Sequence, residues 1–383
     1  WERLRCPIFA TPFTAWLMRD RLAERGLLGE AKVTEIGLRS RFEVGPFDLQ
    51  MITLTHSIPE PNGLAVRTPA DLVLHTGDWK IDPQPLIGKT TDVQAIEALA
   101  EEGVMAMVCD STNVFTDGES GSEAEVKDNL IRVVGEQTGR VAVAAFASNV
   151  ARLQTAIEAA EANDRRVCLV GRSMHRMTAA AKAVGLLADC APFVDEEEAG
   201  YFPPEKIFFL CTGSQGEPRA ALSRIAEGSH RNVTLAQGDT VIFSSRIIPG
   251  NERGIFDLMN KLAARGVEII TEKDEHVHVS GHPCRDELRQ MYQWARPHTA
   301  IPVHGERRHL LEHAEFARAL QVPQALAPKN GDVIRIDREG ATIVDEAPAG
   351  RLHLDGKFLV DADGAPLRER RKLSYAGHVT VAM

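Results

Sequence analysis

The sequence predicts an α/β protein with a doubly wound parallel sheet set between a strand-rich first stretch and a later helix–strand–helix stretch. Three observations predict it. From Ser122 to Thr271, apolar runs of strand length alternate with segments of helical period, the rhythm of βα units in a parallel sheet. Before Ser122, short strands separated by turn residues dominate. After Thr271, His276-Val-His-Val-Ser-Gly-His-Pro283 and Ile301-Pro-Val-His-Gly-Glu306 place histidines beside glycine and β-branched residues, not in a helical pattern.

The elements follow in order. Residues 14–26 are expected to be helical: Trp16, Leu17, Leu22 and Leu27 form a stripe, and Gly26 suits a C-terminal cap. Strands are expected at 32–38, 49–55 and 71–75, with turns at Gly45-Pro46 and Pro59-Glu-Pro-Asn-Gly63. A helix over 93–102 precedes a buried strand, 104–109, ending at Asp110. Ser122-Glu-Ala-Glu125 has the capping-box pattern and opens a helix to Gly135. The alternation then runs through strands 140–146, 166–170, 206–211, 241–244 and 267–271, with helices at 149–162, 173–187 and 251–265. A helix over 285–294, a strand over 299–303 and a helix over 306–320 follow. Residues 345–350 read as a linker, and 351–383 as the start of another domain.

With 383 residues, 44% of them hydrophobic, the chain can bury two or three domain cores. Its apolar runs are shorter than a membrane span, and residues 1–10 lack the parts of a signal peptide. Both ends read as cut: the first residue is Trp1, not Met, and 377–383 read as a strand stopped partway. Cys6, Cys109, Cys168, Cys190, Cys211 and Cys284 form no C-x-x-C pair. Buried thiols in a reducing cytoplasm are expected, with no disulfide frame. A formal charge of −10 excludes a generally basic nucleic-acid coat but leaves room for a local cationic groove.

Chemistry is expected at strand ends. His56 stands where strand 49–55 opens into Ser57-Ile-Pro59. Asp78 follows strand 71–75 and a glycine, and His304 closes strand 299–303. An imidazole and a carboxylate are ligands for zinc or manganese. Read alone, each is as easily a satisfied loop residue; read together, they favour a metal. His278, Ser280 and His282 alternate, so a strand would put all three on one face, suited to a phosphate or to proton donation to a leaving oxygen. Gly281 allows a close backbone approach. Asp110-Ser-Thr-Asn113, Phe146-Ala-Ser-Asn149 and Gly213-Ser-Gln-Gly-Glu217 each read either as anion sites or as helix caps, with capping the default. Ser244-Ser-Arg246 adds a cation.

Eight segments occur together in order: Thr55-His-Ser-Ile-Pro59, His75-Thr-Gly-Asp-Trp-Lys-Ile-Asp82, Cys109-Asp-Ser-Thr-Asn113, Phe146-Ala-Ser-Asn149, Gly213-Ser-Gln-Gly-Glu-Pro218, residues 244–252, His278-Val-Ser-Gly-His282 and Pro302-Val-His-Gly-Glu306. This set resembles the β-CASP branch of the metallo-β-lactamase superfamily, and within it the bacterial ribonuclease J family. The resemblance covers nearly the whole chain. It implies a metallo-β-lactamase αββα sandwich interrupted by a doubly wound β-CASP domain. Residues 1–124 and 279–345 form the two parts of the sandwich, 125–278 the insert, and 346–383 a linker with the start of a C-terminal domain.

The resemblance also implies function. The family processes and degrades single-stranded RNA in the cytoplasm as a 5′→3′ exonuclease and endonuclease. Two divalent metal ions, zinc or alternatively manganese, activate a hydroxide that attacks the phosphodiester. By motif, His56, Asp78 and His304 are metal ligands, while His282 and the acidic Glu123 are catalytic. His278, Ser280, Ser148 and Asn149 lie near a phosphate of the RNA. Dimers or tetramers and an RNA-degradation complex are implied as partners, and no membrane. One motif departs: the superfamily's H-x-H-x-D-H spacing occurs nowhere in these residues, and its family position is just ahead of the stretch resembling residues 1–14. These residues alone are therefore expected to be inactive. Two rival readings are a non-catalytic RNA-binding member and a hydrolase of small esters.

Overall fold

The structure, a computed structural model, describes residues 4–377 and 379. The strand expected over 377–383 falls on residues mostly outside that set, as does Trp1. The first elements are β1 (Ile8–Ala10), α1 (Pro12–Glu24) and β2 (Val33–Glu35), with β1 and β2 paired in parallel. Proline in the first turn of α1 loses no helical hydrogen bond, so the helix begins earlier than its apolar stripe suggests. Gly26, just past its end, has φ 70°, as a left-handed cap requires.

Next come β3 (Arg41–Val44), β4 (Phe47–Thr53), β5 (Asn62–Arg67) and β6 (Leu72–His75), an antiparallel meander. Strands β3 and β5 escaped the sequence reading. Asn62-Gly63 looks like a turn, but here glycine lets strands close up. A Cβ at Gly63 would lie 3.1 Å from the His75 carbonyl oxygen. Helix α2 (Val93–Glu102) leads to β7 (Val104–Asp110), which runs parallel to β6.

The predicted alternation is present. It comprises α3 (Glu123–Gly135), β8 (Val141–Ala144), α4 (Val150–Ala162), β9 (Arg166–Val170) and α5 (Arg172–Ala183). Then come β10 (Ile207–Cys211), α6 (Ala221–Glu227), β11 (Thr240–Phe243), α7 (Glu252–Ala263) and β12 (Glu268–Ile270). The five strands are all parallel, in the order β12-β11-β8-β10-β9. Every residue of β8, β10 and β11 is buried, as expected of a sheet covered by helices on both faces. Val141, Val143, Phe208 and Leu210 face one core, with α3, α4 and α5; Ala142, Ala144, Phe209 and Phe243 face the other, with α6 and α7. The chain leaves β8 toward β9 and later crosses back to β11, so the loops after β8 and β11 part at a topological switch point, where such sheets bind ligands.

The chain then returns to the first sheet through α8 (Arg285–Ala295), β13 (Thr299–Val303), α9 (Arg307–Ala319) and β14 (Gln324–Ala325). The seven-stranded order is β14-β13-β7-β6-β5-β4-β3. Leu72, Leu74, Met107 and Cys109 face a core shared with α2, α8 and α9. Val73, Ala106, Val108 and Ile301 face the other way, toward the hairpin of β15 (Asp332–Asp337) and β16 (Gly340–Glu346). Strand β16 runs to Glu346, so the linker expected at 345–350 starts after it. A second hairpin, β17 (Leu352–Asp355) and β18 (Phe358–Asp361), precedes α10 (Ala365–Ala376). The fold class is thus the expected one: a mixed α/β protein with a five-stranded parallel sheet inserted into a chain that otherwise builds a seven-stranded mixed sheet. No helix among the described residues is long and apolar enough to cross a membrane.

Two expectations need correction. Residues 276–282 are not a strand. The segment crosses between the sheets, and its polar atoms are satisfied by side chains: Arg152 and Ser244 donate to the Val277 carbonyl, and Asn113 to Ser280 and His282. His278, Ser280 and His282 therefore do not share a face by alternation. Nor is the start of α3 capped by a box. Ser122 Oγ accepts from Ala124 N and donates to Asp82, whose other oxygen accepts from Glu123 N. Asp82 is itself paired with buried Lys80 at 3.2 Å, and Lys80 donates to the Gly121 carbonyl. This polar knot ties the first sheet to the first helix of the insert.

Candidate metal centre

The C-terminal ends of β6, β7 and β13 lie side by side, because β7 pairs in parallel with both neighbours. Each ends in a polar loop residue, and those residues converge. Asp78, Asp110, His282 and His304 offer ligand atoms that all lie within 4.8 Å of one another. Asp110 sits at the centre and is fully buried. Its Oδ2 accepts from His282 Nδ1 at 2.7 Å; its Oδ1 accepts from His304 Nδ1 at 3.2 Å and from the N–H and hydroxyl of Thr112. Burial opposes ionisation of Asp110, but the two imidazoles and Thr112 outweigh it and hold its carboxyl well below the usual range. Asp78, half exposed, stands 3.5 Å from His304 Nδ1.

His304 has φ 56°, a left-handed conformation that side chains rarely adopt and that clusters at functional sites. Its pKa is raised, chiefly by its bond to Asp110. His56 lies beside the group: its ring centroid is 5.0 Å from that of His282, which is 5.2 Å from that of His304. His56 Nδ1 bonds to the Gly281 carbonyl, and burial lowers its pKa, favouring the neutral form. A Cβ on Gly281 would lie 2.8 Å from His56 Nδ1. Gly281→Ala is expected to cost roughly 1–3 kcal/mol by overpacking and to weaken zinc binding about tenfold by turning His56. Urea denaturation and calorimetric titration with zinc check both.

The sequence-predicted residues fall into two groups. His56, Asp78, His282 and His304 come together. Glu123, Asn149 and His278 gather instead around Arg152, a buried arginine. Arg152 donates to Glu123 Oε2 from Nε at 3.1 Å and from Nη2 at 2.8 Å, and to Ser244 Oγ at 2.6 Å. Asn149 caps α4 through Arg152 N and donates to Glu123, so its capping reading holds. Ser148 lies in the same loop after β8. Burial first, then Arg152, Arg246 and Lys80, push the His278 pKa down to about 2, so cations surround this imidazole despite the acidic chain. Ser280 Oγ accepts from Asn113 at 2.8 Å and from His282 N at 3.1 Å.

Two side chains at the centres of these groups are not among the sequence-predicted residues. The sequence offers Asp110 only within a segment that suits either an anion site or a helix cap, and gives no sign of Arg152. The signal for Asp110 was its place: it closes a buried strand, as His304 does.

The donor set fits a divalent cation: carboxylate oxygens and imidazole nitrogens suit zinc or manganese. With Nδ1 of His56 and His304 engaged by a carbonyl and a carboxylate, Nε2 is the ring atom each presents, the arrangement usual behind metal-ligating histidines; His282, oriented by Asp110 in the same way, keeps its Nε2 free for a proton.

Two family models and several curated relatives match this chain. The family model described as Ribonuclease J, beta-CASP domain matches residues 138–262. The one described as Zn-dependent metallo-hydrolase RNA specificity domain matches residues 266–323. The chain is 45% identical to Ribonuclease J of Sinorhizobium meliloti, over 100% of this chain and 68% of that protein. It is 41% identical to Ribonuclease J of Corynebacterium glutamicum, over 98% and 52%, and 39% identical to that of Mycolicibacterium smegmatis, over 98% and 68%. Among solved structures, a protein of unknown function from Enterococcus faecalis superposes with TM-score 0.55 at 13% identity, covering 85% of this chain and 75% of that one; this likeness concerns the fold alone.

Proposed function

This chain belongs to the ribonuclease J family of β-CASP metallo-hydrolases, and from that premise we propose that it is a metal-dependent ribonuclease. It acts on single-stranded RNA in the cytoplasm, as a 5′→3′ exonuclease and an endonuclease, and assembles as a homo-oligomer. One observation carries the proposal: Asp110 binds His282 and His304 together, with Asp78 beside them. The chain spans 68% of the S. meliloti relative and 52% of the C. glutamicum one, so the proposal concerns the intact protein that contains these residues. The boundaries proposed are 125–278 for the β-CASP insert, which encloses the matched span 138–262, with 1–124 and 279–345 flanking it.

Asp78, His304 and His56 are the proposed metal ligands, with Asp110 added to them. When bound, a divalent cation supplies Lewis acidity, polarising phosphoryl oxygens and lowering the pKa of water toward about 7. The protein's own groups do the rest. Asp110 fixes the rings of His282 and His304. His282 presents Nε2 for a proton to the departing oxygen. His278 and Ser280, with Arg246 and Lys80 behind them, hold an RNA phosphate, and the cations compensate its charge locally. Glu123 supports this pocket through Arg152.

Cleavage of a single-stranded RNA by the intact protein tests the proposal. A chelator should stop it, and zinc or manganese should restore it. Zinc at about 100 times its dissociation constant should also stabilise the fold by about 2.7 kcal/mol, seen as a rise in melting temperature. Turnover of small esters without turnover of RNA would overturn the reading.

A further inference from the structure

Phe115 is 50% exposed, yet it stands on the loop that carries Asp110. That loop has little freedom. Asp110 and Thr112 bond to His304, Asn113 bonds to Ser280 and His282, and Val114 is buried in the core. The Thr116 carbonyl accepts from Arg285 N. A phenyl ring held in water by so fixed a loop is not there to fill a core.

Its neighbours are suited to a ligand. The ring of His309 meets Phe115 edge-on, with centroids 5.3 Å apart and planes at 63°. The Arg308 guanidinium lies 5.5 Å from the phenyl centroid. His309 packs against the glycine that follows His304: a Cβ on Gly305 would fall 2.8 Å from the His309 Cβ. The aromatic group therefore borders the metal centre on two sides of the chain, after β7 and after β13.

We propose that Phe115, flanked by His309 and Arg308, is a stacking platform for one unpaired nucleobase of the RNA beside the bond to be cut. This deepens the ribonuclease reading and rests on it. Aromatic and guanidinium faces stack on any base, so the platform is tolerant of sequence. It needs a base splayed out of a helix, so it favours single strands over duplexes. It also adds affinity for RNA that does not depend on net charge, in a chain whose formal charge is −10.

The test uses the intact, metal-loaded protein, a short single-stranded RNA, and the same RNA with an abasic ribose placed in turn at each nucleotide near the cleaved bond. Phe115→Leu is expected to raise KM for the complete RNA about tenfold, while Phe115→Trp stays within about twofold of the parent. At one position the abasic RNA should show no further loss from Phe115→Leu, because the base that stacks is already gone. The same Leu penalty on every abasic RNA, or no penalty on the complete one, overturns the platform. Failure of the ribonuclease reading would show differently: the parent protein would cleave none of these RNAs.

Discussion

Asp110→Asn is expected to weaken zinc binding and RNA cleavage together, each by about 10–100-fold or more. The substitution keeps volume and removes charge from the group that bonds both His282 and His304. The two carboxylate oxygens serve His282 Nδ1 and His304 Nδ1 at 2.7 and 3.2 Å. Asparagine offers one oxygen and turns an NH2 toward the other ring, where a second donor meets the first. One imidazole must then rotate or change tautomer, and its Nε2 leaves its place. The same change at Asp78 should cost metal affinity as well, but it leaves the two rings held by Asp110, since Asp78 is half exposed and stands 3.5 Å from His304 Nδ1. Titration calorimetry with zinc and a labelled-RNA cleavage assay read the two effects. Wild-type zinc affinity in Asp110→Asn would remove Asp110 from the centre and return the ligand set to His56, Asp78 and His304.

Much of this centre was legible in the sequence because His56, Asp78 and His304 each follow an apolar strand run. Parallel pairing of β6, β7 and β13 brings the ends before Asp78 and His304 together, and β4, antiparallel to β5 as β5 is to β6, ends at the same edge before His56. The insert was legible for a related reason: its strands are buried on both faces and read as unbroken apolar runs between helical periods. What was not legible depends on contacts distant in sequence. Asp110 followed by Ser-Thr-Asn looks like a helix cap, and nothing local shows that its partners are residues 282 and 304. The 276–282 segment alternates like a strand, yet its carbonyls are met by Arg152, Ser244 and Asn113. Strand β5 hides behind Asn62-Gly63 because turn residues there serve a close strand approach. Arg152 gives no local signal at all, lying within a helix whose next turns are apolar.

That arginine carries the second large effect. Arg152→Met is expected to cost ~3–5 kcal/mol of stability, the loss typical when one partner of a buried ion pair is removed. Arg152 is fully buried, and Glu123, its partner at 2.8 Å, is nearly so. Methionine fills the space but leaves the Glu123 carboxylate in low dielectric with Asn149, at 3.4 Å, as its remaining side-chain donor. Arg152→Lys should recover little. One ammonium cannot reach Glu123, Ser244 and the Val277 carbonyl at once, whereas the guanidinium meets Glu123 through Nε and Nη2 and the other two through Nη1. Adding Glu123→Gln to Arg152→Met should restore part of the loss, because no unpaired charge is then left buried; urea denaturation of the two single variants and the double variant measures that coupling. Cleavage separates packing from function. Arg152 holds the Val277 carbonyl and lies beside His278, at the root of the segment that delivers Ser280 and His282. If Glu123 and Arg152 position that segment, the double variant will fold better than Arg152→Met yet still cleave RNA poorly. If they only stabilise the insert, its activity per folded molecule will match the parent.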